Sequence, residues 1–196
     1  MRRFATFYIT AVILSYSCHK ACHERNYIFT TNNLFYPEKD SIQVGDTLWL
    51  TCTISKNQRL VFFSGAENLG GNLIISNIDS FGTYSRGAVE KFTYFNVAGS
   101  VYSVANLNPK NDKQVSYLET DTAYNLNVGI ISLKKGIYIF SFSDDPGVYR
   151  TGSPSCGVAN FLFVNANKNK HLYLFEDLHG KLGENDNLHS YCFKVY

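Results

Sequence analysis

The chain has 196 residues, with 18 Lys and Arg against 16 Asp and Glu, and a formal net charge of +2. This length suits one domain. The near-neutral balance, without a basic stripe, excludes nucleic acid as an expected partner, because contacts to phosphate dominate that affinity.

The N-terminus has the pattern of a secretory signal peptide. Two arginines precede the mostly apolar run 4–14, and small residues stand one and three places before Cys18. A membrane-spanning helix needs about 20 apolar residues, so this run is too short to be one. We therefore predict a signal peptide over residues 1–17; the alternative is a buried N-terminal strand.

Cleavage after residue 17 would expose Cys18. The order Leu-Ser-Tyr-Ser-Cys resembles the looser lipoprotein signals of Bacteroidetes-type bacteria. The resemblance implies a lipid on Cys18 that holds the protein to a membrane of the bacterial cell envelope, facing the periplasm or at the cell surface. The alternative is a secreted protein cut at the same bond. Loss of the two leading arginines lowers Lys and Arg from 18 to 16, equal to the 16 Asp and Glu, so the mature chain is formally neutral.

Residues 18–26 read as a tether between the anchor and the domain. Cys18, His19, Cys22 and His23 invite a metal or haem interpretation, but haem attachment requires C-x-x-C-H and the gap here is three residues. The lone methionine is Met1, inside the predicted signal peptide. We predict a solvated tether, and no metal or cofactor.

Residues 27–196 form the predicted domain, and their apolar pattern has a period of two. Leu48, Leu50, Cys52 and Ile54 alternate with more polar neighbours, as in a half-buried strand. The predicted strands are 48–55, 59–64, 72–77, 88–97, 100–106, 114–119, 123–132, 136–143, 159–165 and 189–196. One short helix is predicted over 172–179. Many short strands separated by Gly, Asn, Asp and Pro turns indicate an all-β sandwich or barrel.

Two segments decide between these architectures. Residues 43–52 (QVGDTLWLTC) resemble strand B of an immunoglobulin-type domain, and 135–140 (KGIYIF) resemble strand F, in which Tyr138 would be the corner tyrosine. Phe140 stands where the second cysteine would be, and Trp49 lies on the wrong strand for the core tryptophan. The resemblance therefore implies an Ig-like antiparallel β-sandwich rather than a true immunoglobulin domain. The order of these segments after a lipid-type signal also resembles Bacteroidetes-type lipoproteins, which implies no particular activity.

The remaining cysteines are disulfide candidates in an oxidising compartment. We predict a disulfide between Cys156 and Cys192, and a buried free thiol at Cys52, which lies on the apolar side of its strand. Cys156 as a nucleophile is not favoured, because no neighbour in the sequence positions a base. His171, His179 and His189 are spaced too widely for a compact ligand motif. We interpret them as surface residues.

Aromatic residues are the remaining candidates for a ligand site. Tyr84, Tyr94 and Tyr102 lie in or near polar turns or on a strand, and exposed rings on a sheet can bind sugars or proteins. The alternative for each ring is packing in the core. No catalytic motif is present, so enzymatic activity is not predicted. We expect an exported, lipid-anchored, non-catalytic protein that binds or scaffolds a protein or glycan. The alternatives are a carbohydrate-binding or adhesion module, and an envelope hydrolase whose acid and base come from distant loops.

Overall fold

The computed structural model describes residues 25–58, 61–62, 69–78, 84–103, 112–143, 148–149 and 157–196. In chain order the strands are β1 (Arg25–Tyr36), β2 (Ser41–Ile42), β3 (Thr47–Ser55), β4 (Asn57–Gln58), β5 (Val61–Phe62), β6 (Gly70–Ile78), β7 (Tyr84–Arg86), β8 (Phe92–Ala98), β9 (Ser100–Tyr102), β10 (Asp112–Ser116), β11 (Leu118–Glu119), β12 (Ala123–Ser132), β13 (Gly136–Ser143), β14 (Val148–Tyr149), β15 (Gly157–Asn165) and β16 (Ser190–Val195). The helices are α1 (Tyr173–His179) and α2 (Glu184–His189), and a 3₁₀ turn covers Val89–Lys91.

Two sheets pack face to face, which confirms the predicted all-β sandwich. Within the described residues, sheet I has the order β11-β12-β3-β1-β15-β14, and β8 also pairs with β12. Sheet II has the order β2-β16-β13-β6-β10-β9, and β7 also pairs with β6. Most pairs are antiparallel, whereas β1 with β15 and β16 with β2 are parallel. The short strands β4 and β5 pair with each other.

The core lies between the sheets and is rich in aromatic rings. Phe140, which replaces the second cysteine of an immunoglobulin domain, packs edge-on against Phe193 with ring centroids 4.8 Å apart. Phe92 reaches the same cluster from sheet I, 5.5 Å from Phe140. Fully burying a ring of this kind stabilises the fold by about 1.5–3 kcal/mol. Aromatic packing therefore surrounds the position at which an immunoglobulin domain carries its second cysteine.

The predicted corner tyrosine is confirmed in its geometry. The Tyr138 hydroxyl donates to the carbonyl of Lys134 at 3.0 Å and lies 3.2 Å from that of Lys135. The side chain is fully buried, so the bond fastens the β12–β13 turn to the core. β3 and β13, which correspond to strands B and F in the resemblance, lie in opposite sheets.

The two helices cover the outer side of sheet II. Ile78, Ile139 and Cys192 form a second apolar cluster there, against Leu172 and Phe175. α1 matches the predicted helix, whereas α2 was not predicted. Along the described part of the chain, neither helix is long and apolar enough to cross a membrane.

Several predictions of detail are corrected. β1 begins at Arg25, two residues inside the predicted tether 18–26, and it was not predicted as a strand. The predicted strand 88–97 starts with the 3₁₀ turn, and β8 follows it. His171 is buried, not on the surface, because its ring packs edge-on against Tyr191, a core residue of β16.

The cysteine predictions have different outcomes. Cys52 is a buried free thiol, as predicted. Cys192 is also free and buried, which gives the predicted disulfide no support. Its proposed partner, Cys156, lies outside the described residues, so that pairing stays a prediction. The signal peptide 1–17, Cys18 and Cys22 lie outside the described residues as well.

Candidate functional site

The three predicted ligand tyrosines do not share one surface. Tyr94 lies on β8 and packs against the core, where its hydroxyl donates to the carbonyl of Val89 at 3.0 Å. Burial raises the pKa of Tyr94. Tyr102 is exposed on β9 of sheet II and donates to the Gln114 side chain at 3.0 Å. Tyr84 is the first residue of β7, which also belongs to sheet II, and its side chain is not among those that the structure describes.

A different surface stands out on sheet I, where the described side chains on the outer side of four adjacent strands include no charged residue. Alternation places one set of side chains in the core and the other outward on β1, β3, β8 and β12. We call this outer side the open face. Its residues are Thr30, Asn32, Leu34, Tyr36, Thr47, Trp49, Thr51, Thr53, Ser55, Thr93, Phe95, Val97, Ala123, Asn125, Asn127, Gly129 and Ile131.

One row of aromatic residues crosses the open face at right angles to the strands. Strand register places Tyr36 opposite Trp49, Trp49 opposite Gly129, and Gly129 opposite Phe95. Tyr36 is 67% exposed and Phe95 is 55% exposed, whereas Trp49 is half-buried. We call Tyr36, Trp49 and Phe95 the aromatic row.

Gly129 makes room for the tryptophan within this row. A Cβ at this position would lie 3.3 Å from Cζ3 of Trp49 and 3.0 Å from Cγ2 of Thr47. The indole therefore lies over the glycine and meets Phe95 edge-on, with ring centroids 6.1 Å apart and planes at 72°. An edge-to-face pair of this kind is a favourable aromatic contact.

A row of shorter side chains runs beside the aromatic row, two residues further along the strands. It consists of Leu34, Thr51, Asn127 and Ala98, which the register places opposite one another. Val97 lies in the β-bulge at the end of this row and is 55% exposed. The Oδ1 atom of Asn127 has no hydrogen-bond partner among the described residues. We call Leu34, Thr51, Asn127 and Ala98 the Thr–Asn row.

The described side chains of the open face are uncharged. Exposed aromatic residues with few charged neighbours are typical of the centre of a protein interface. Tyr36 and Phe95 are exposed among uncharged neighbours on the open face, so this face matches that description.

The acidic, histidine and thiol groups form no comparable site in the described part of the chain. Asp40 accepts hydrogen bonds from Tyr173 and Ser41, both at 2.8 Å, and these bonds lower its pKa. Burial raises the pKa of Cys52 to about 11 and that of Cys192 further, which keeps both thiols protonated and unreactive at neutral pH. Among the residues that the structure describes, no three His, Cys, Asp or Glu side chains are grouped to hold a metal ion.

Comparison with known proteins finds only weak similarity. No protein-family model and no curated protein sequence matches the chain. A type II cohesin domain from the cellulosome of Acetivibrio cellulolyticus aligns at 18% identity and a TM-score of 0.30, over 64% of this chain and 79% of that one. The second type II cohesin module of the adaptor ScaA scaffoldin, from the same organism, aligns at 13% identity and a TM-score of 0.30, over 68% and 86%.

The chain spans a smaller part of a longer relative. It aligns with 39% of the type II cohesin dyad of that scaffoldin, at 18% identity and a TM-score of 0.29. Scores this low do not carry an assignment, so the sandwich is described from its own sheets and the site from its own residues.

Sequence reasoning missed the aromatic row. Alternation in β3 already places Trp49 on the side of Thr51 and Thr53, opposite the apolar residues. A tryptophan on the solvent side of a strand was therefore a signal in the sequence. Nothing in the sequence signals that Trp49 aligns with Tyr36 and Phe95, because that alignment depends on pairing between strands far apart in the chain.

Proposed function

We propose that this protein is a non-catalytic binding module whose binding surface for another protein is the open face of sheet I. The observation that carries the proposal is the aromatic row, which stands exposed among uncharged side chains on four paired strands. Burying Tyr36 and Phe95 against a partner would remove more apolar surface from water than burying any polar residue of this face. No desolvated charge would oppose that gain.

A protein partner fits the ring geometry better than a sugar does. Trp49 and Phe95 meet at 72°, so together they form no flat platform on which a sugar could stack across both rings. Tilted rings of this kind can pack among the side chains of another protein. Carbohydrate binding remains the second candidate, because the exposed rings of Tyr36 and Phe95 can also contact a sugar.

We propose further that the module is exported and anchored in the bacterial cell envelope by a lipid on Cys18. β1 begins at Arg25. The segment from Cys18 to Arg25 spans at most roughly 25 Å when fully extended. The anchor would hold the sandwich close to the membrane surface. Cys18→Ala should move the protein from the membrane to the soluble fraction, and unchanged membrane partitioning would exclude the lipid.

Site-specific photo-crosslinking tests the binding surface. A photoreactive phenylalanine analogue at position 95 should form an adduct with a protein when cells that make the full chain are irradiated. The same group at Leu178, which is 37% exposed on α1, serves as the matched control and should form none. Equal yields at both positions would contradict the proposed surface, and a glycan adduct at position 95 would favour the second candidate.

A further inference from the structure

We propose that the protein bound at the open face is a second copy of this chain, packed sheet against sheet about a two-fold axis. This inference rests on the proposed function, because it names the occupant of the same face. Three properties of the open face support a self-pairing: its charge, the arrangement of its rows, and its size.

The absence of charge from the open face permits self-pairing. In a two-fold pairing each residue meets a different residue of the other copy, and that contact occurs twice. Any charge on this face would therefore be buried twice unless an opposite charge lay across from it. The outward residues of β3, β8 and β12, and those of β1 from Thr30 to Tyr36, include no Asp, Glu, Lys, Arg or His. Two open faces can therefore meet without burying an unpaired or repelling charge.

The two neighbouring rows complement each other under two-fold symmetry. The aromatic row and the Thr–Asn row lie two residues apart along the strands, which is about 6.6 Å. An axis that runs across the strands, midway between the rows, places the aromatic row of each copy over the Thr–Asn row of the other. Trp49 then faces Thr51 of the second copy, and Phe95 faces the Val97–Ala98 segment. Trp49 and Phe95 therefore meet smaller side chains, Tyr36 meets Leu34, and each contact occurs twice, as in an isologous interface.

The dimensions of the open face suit a stable dimer. β12 and β3 are about 30 Å long, and β8 and residues 30–36 of β1 are about 23 Å long. With about 4.8 Å between strands, they present a projected area of roughly 500 Å². A standard protein interface uses about 800 Å² of accessible surface per partner, and packed sheets lie about 10 Å apart. The outer side of sheet II is not equivalent, because the helical segment covers Ile78 and Ile139 there.

Sedimentation velocity of the purified full chain tests the dimer. We expect a dimer at about 100 µM and partial dissociation on dilution toward about 1 µM. Phe95→Lys should weaken the dimer at least about 100-fold, because it buries an unpaired ammonium in each of two symmetric contacts. Leu178→Lys, a substitution on α1, should leave it unchanged. A monomer at 100 µM, or a Phe95→Lys chain that dimerises as the wild type does, would overturn the proposal.

Mixing two variants tests the arrangement of the rows. Phe95→Lys and Val97→Glu should each be monomeric alone, because both residues are exposed and each variant places a charge in the interface twice. In the mixture, the new ammonium of one chain can pair with the new carboxylate of the other at one contact. The second contact keeps the native Phe95 and Val97, so a heterodimer should appear. Monomers in the mixture would exclude this two-fold arrangement.

The crosslinking at position 95 separates the dimer from the proposed function. An adduct between two copies of the chain supports both claims. An adduct with a different protein, together with a monomeric chain in sedimentation, overturns the dimer and retains the proposed function.

Discussion

The side-chain amide of Asn167 makes both hydrogen bonds that a neighbouring strand would make with the main chain of Phe35. Its Oδ1 atom accepts from the Phe35 N–H at 2.8 Å, and its Nδ2 atom donates to the Phe35 carbonyl at 2.8 Å. β1 pairs with β15 as far as Asn33 and with β3 from Leu34 onward. Phe35 therefore lies just after the last residue of β1 that is paired with β15. Asn167 thus continues the pairing beyond the last residue of β15.

Removing this amide should destabilise the sandwich. Asn167→Ala leaves a buried N–H and a buried carbonyl of Phe35 unpaired, and each costs about 1–3 kcal/mol. We expect the free energy of unfolding in urea to fall by about 2–4 kcal/mol. Asn167→Asp retains the acceptor but places a buried carboxylate oxygen against the Phe35 carbonyl, and should lose at least as much. A loss below about 0.5 kcal/mol in Asn167→Ala would show that water replaces the amide.

The corner tyrosine should contribute a smaller amount. Tyr138→Phe removes the hydroxyl that donates to the Lys134 carbonyl and keeps the buried ring. The expected loss in the free energy of unfolding is about 1 kcal/mol. Tyr102→Phe removes an exposed hydroxyl bonded to Gln114 and should change stability by less than about 0.5 kcal/mol. Equal losses in the free energy of unfolding of both variants would contradict a special role for the hydrogen bond of the corner tyrosine.

Gly129 should control the position of the indole above it. Trp49 is the single tryptophan of the chain, so intrinsic fluorescence reports on it alone. Gly129→Ala adds a Cβ 3.0 Å from Thr47 Cγ2 and 3.3 Å from the indole, which must move outward. We expect red-shifted emission and stronger quenching by acrylamide. Gly183→Ala, whose Cβ would meet Asp186 at an ordinary 3.7 Å, should leave the spectrum unchanged. An unchanged spectrum in both variants would place the ring elsewhere.

The two described thiols should be protected in the folded protein. Burial raises the pKa of Cys52 to about 11, and Cys192 is buried beneath the helices. Labelling with a thiol reagent at pH 7 should therefore be at least about 100-fold slower at these positions than in the unfolded chain.

Mass spectrometry after denaturation without reductant also tests the predicted disulfide: Cys192 is labelled if it is free and blocked if it is paired with Cys156.

The bond between Tyr173 and Asp40 should make attachment of α1 sensitive to pH. The Tyr173 hydroxyl, followed by that of Ser41, lowers the pKa of Asp40 below its ordinary value. A lowered carboxyl pKa stabilises the fold above the ordinary pKa, and this contribution is lost as the pH falls through the lowered value. Tyr173→Phe should raise the pKa of Asp40 in an NMR titration and reduce the loss of stability at acid pH. An unmoved Asp40 titration would refute the assignment.

Local patterns predicted some elements to the residue. The predicted strands 123–132 and 136–143 coincide with β12 and β13, because strict alternation and a Lys-Lys-Gly turn are both contained in neighbouring residues. β1 escaped prediction because its inward positions include Thr31 and Asn33, which are polar. Thr31 donates to the Leu162 carbonyl and Asn33 accepts from the Tyr117 hydroxyl, and both partners are far along the chain.

α2 was missed for a similar reason. Its sequence, Glu-Asn-Asp-Asn-Leu-His, has weak intrinsic helix propensity. The Lys170 ammonium donates to the carbonyl of Asn187 at 2.8 Å and lies 3.4 Å from that of Leu188, near the end of the helix. Lys170, which lies outside α2, therefore stabilises the end of this helix, and no local sequence pattern predicts that contact.

The sequence by itself determined the class of fold and, strand by strand, which side chains face the core, because alternation is a property of adjacent residues. It also placed Trp49 on the solvent side of β3. Only the tertiary structure decided that Tyr36, Trp49 and Phe95 form one row, since their alignment depends on hydrogen-bond register between β1, β3, β12 and β8. A register shift of one residue would turn that row toward the opposite face, so the binding surface exists only once the strands have paired.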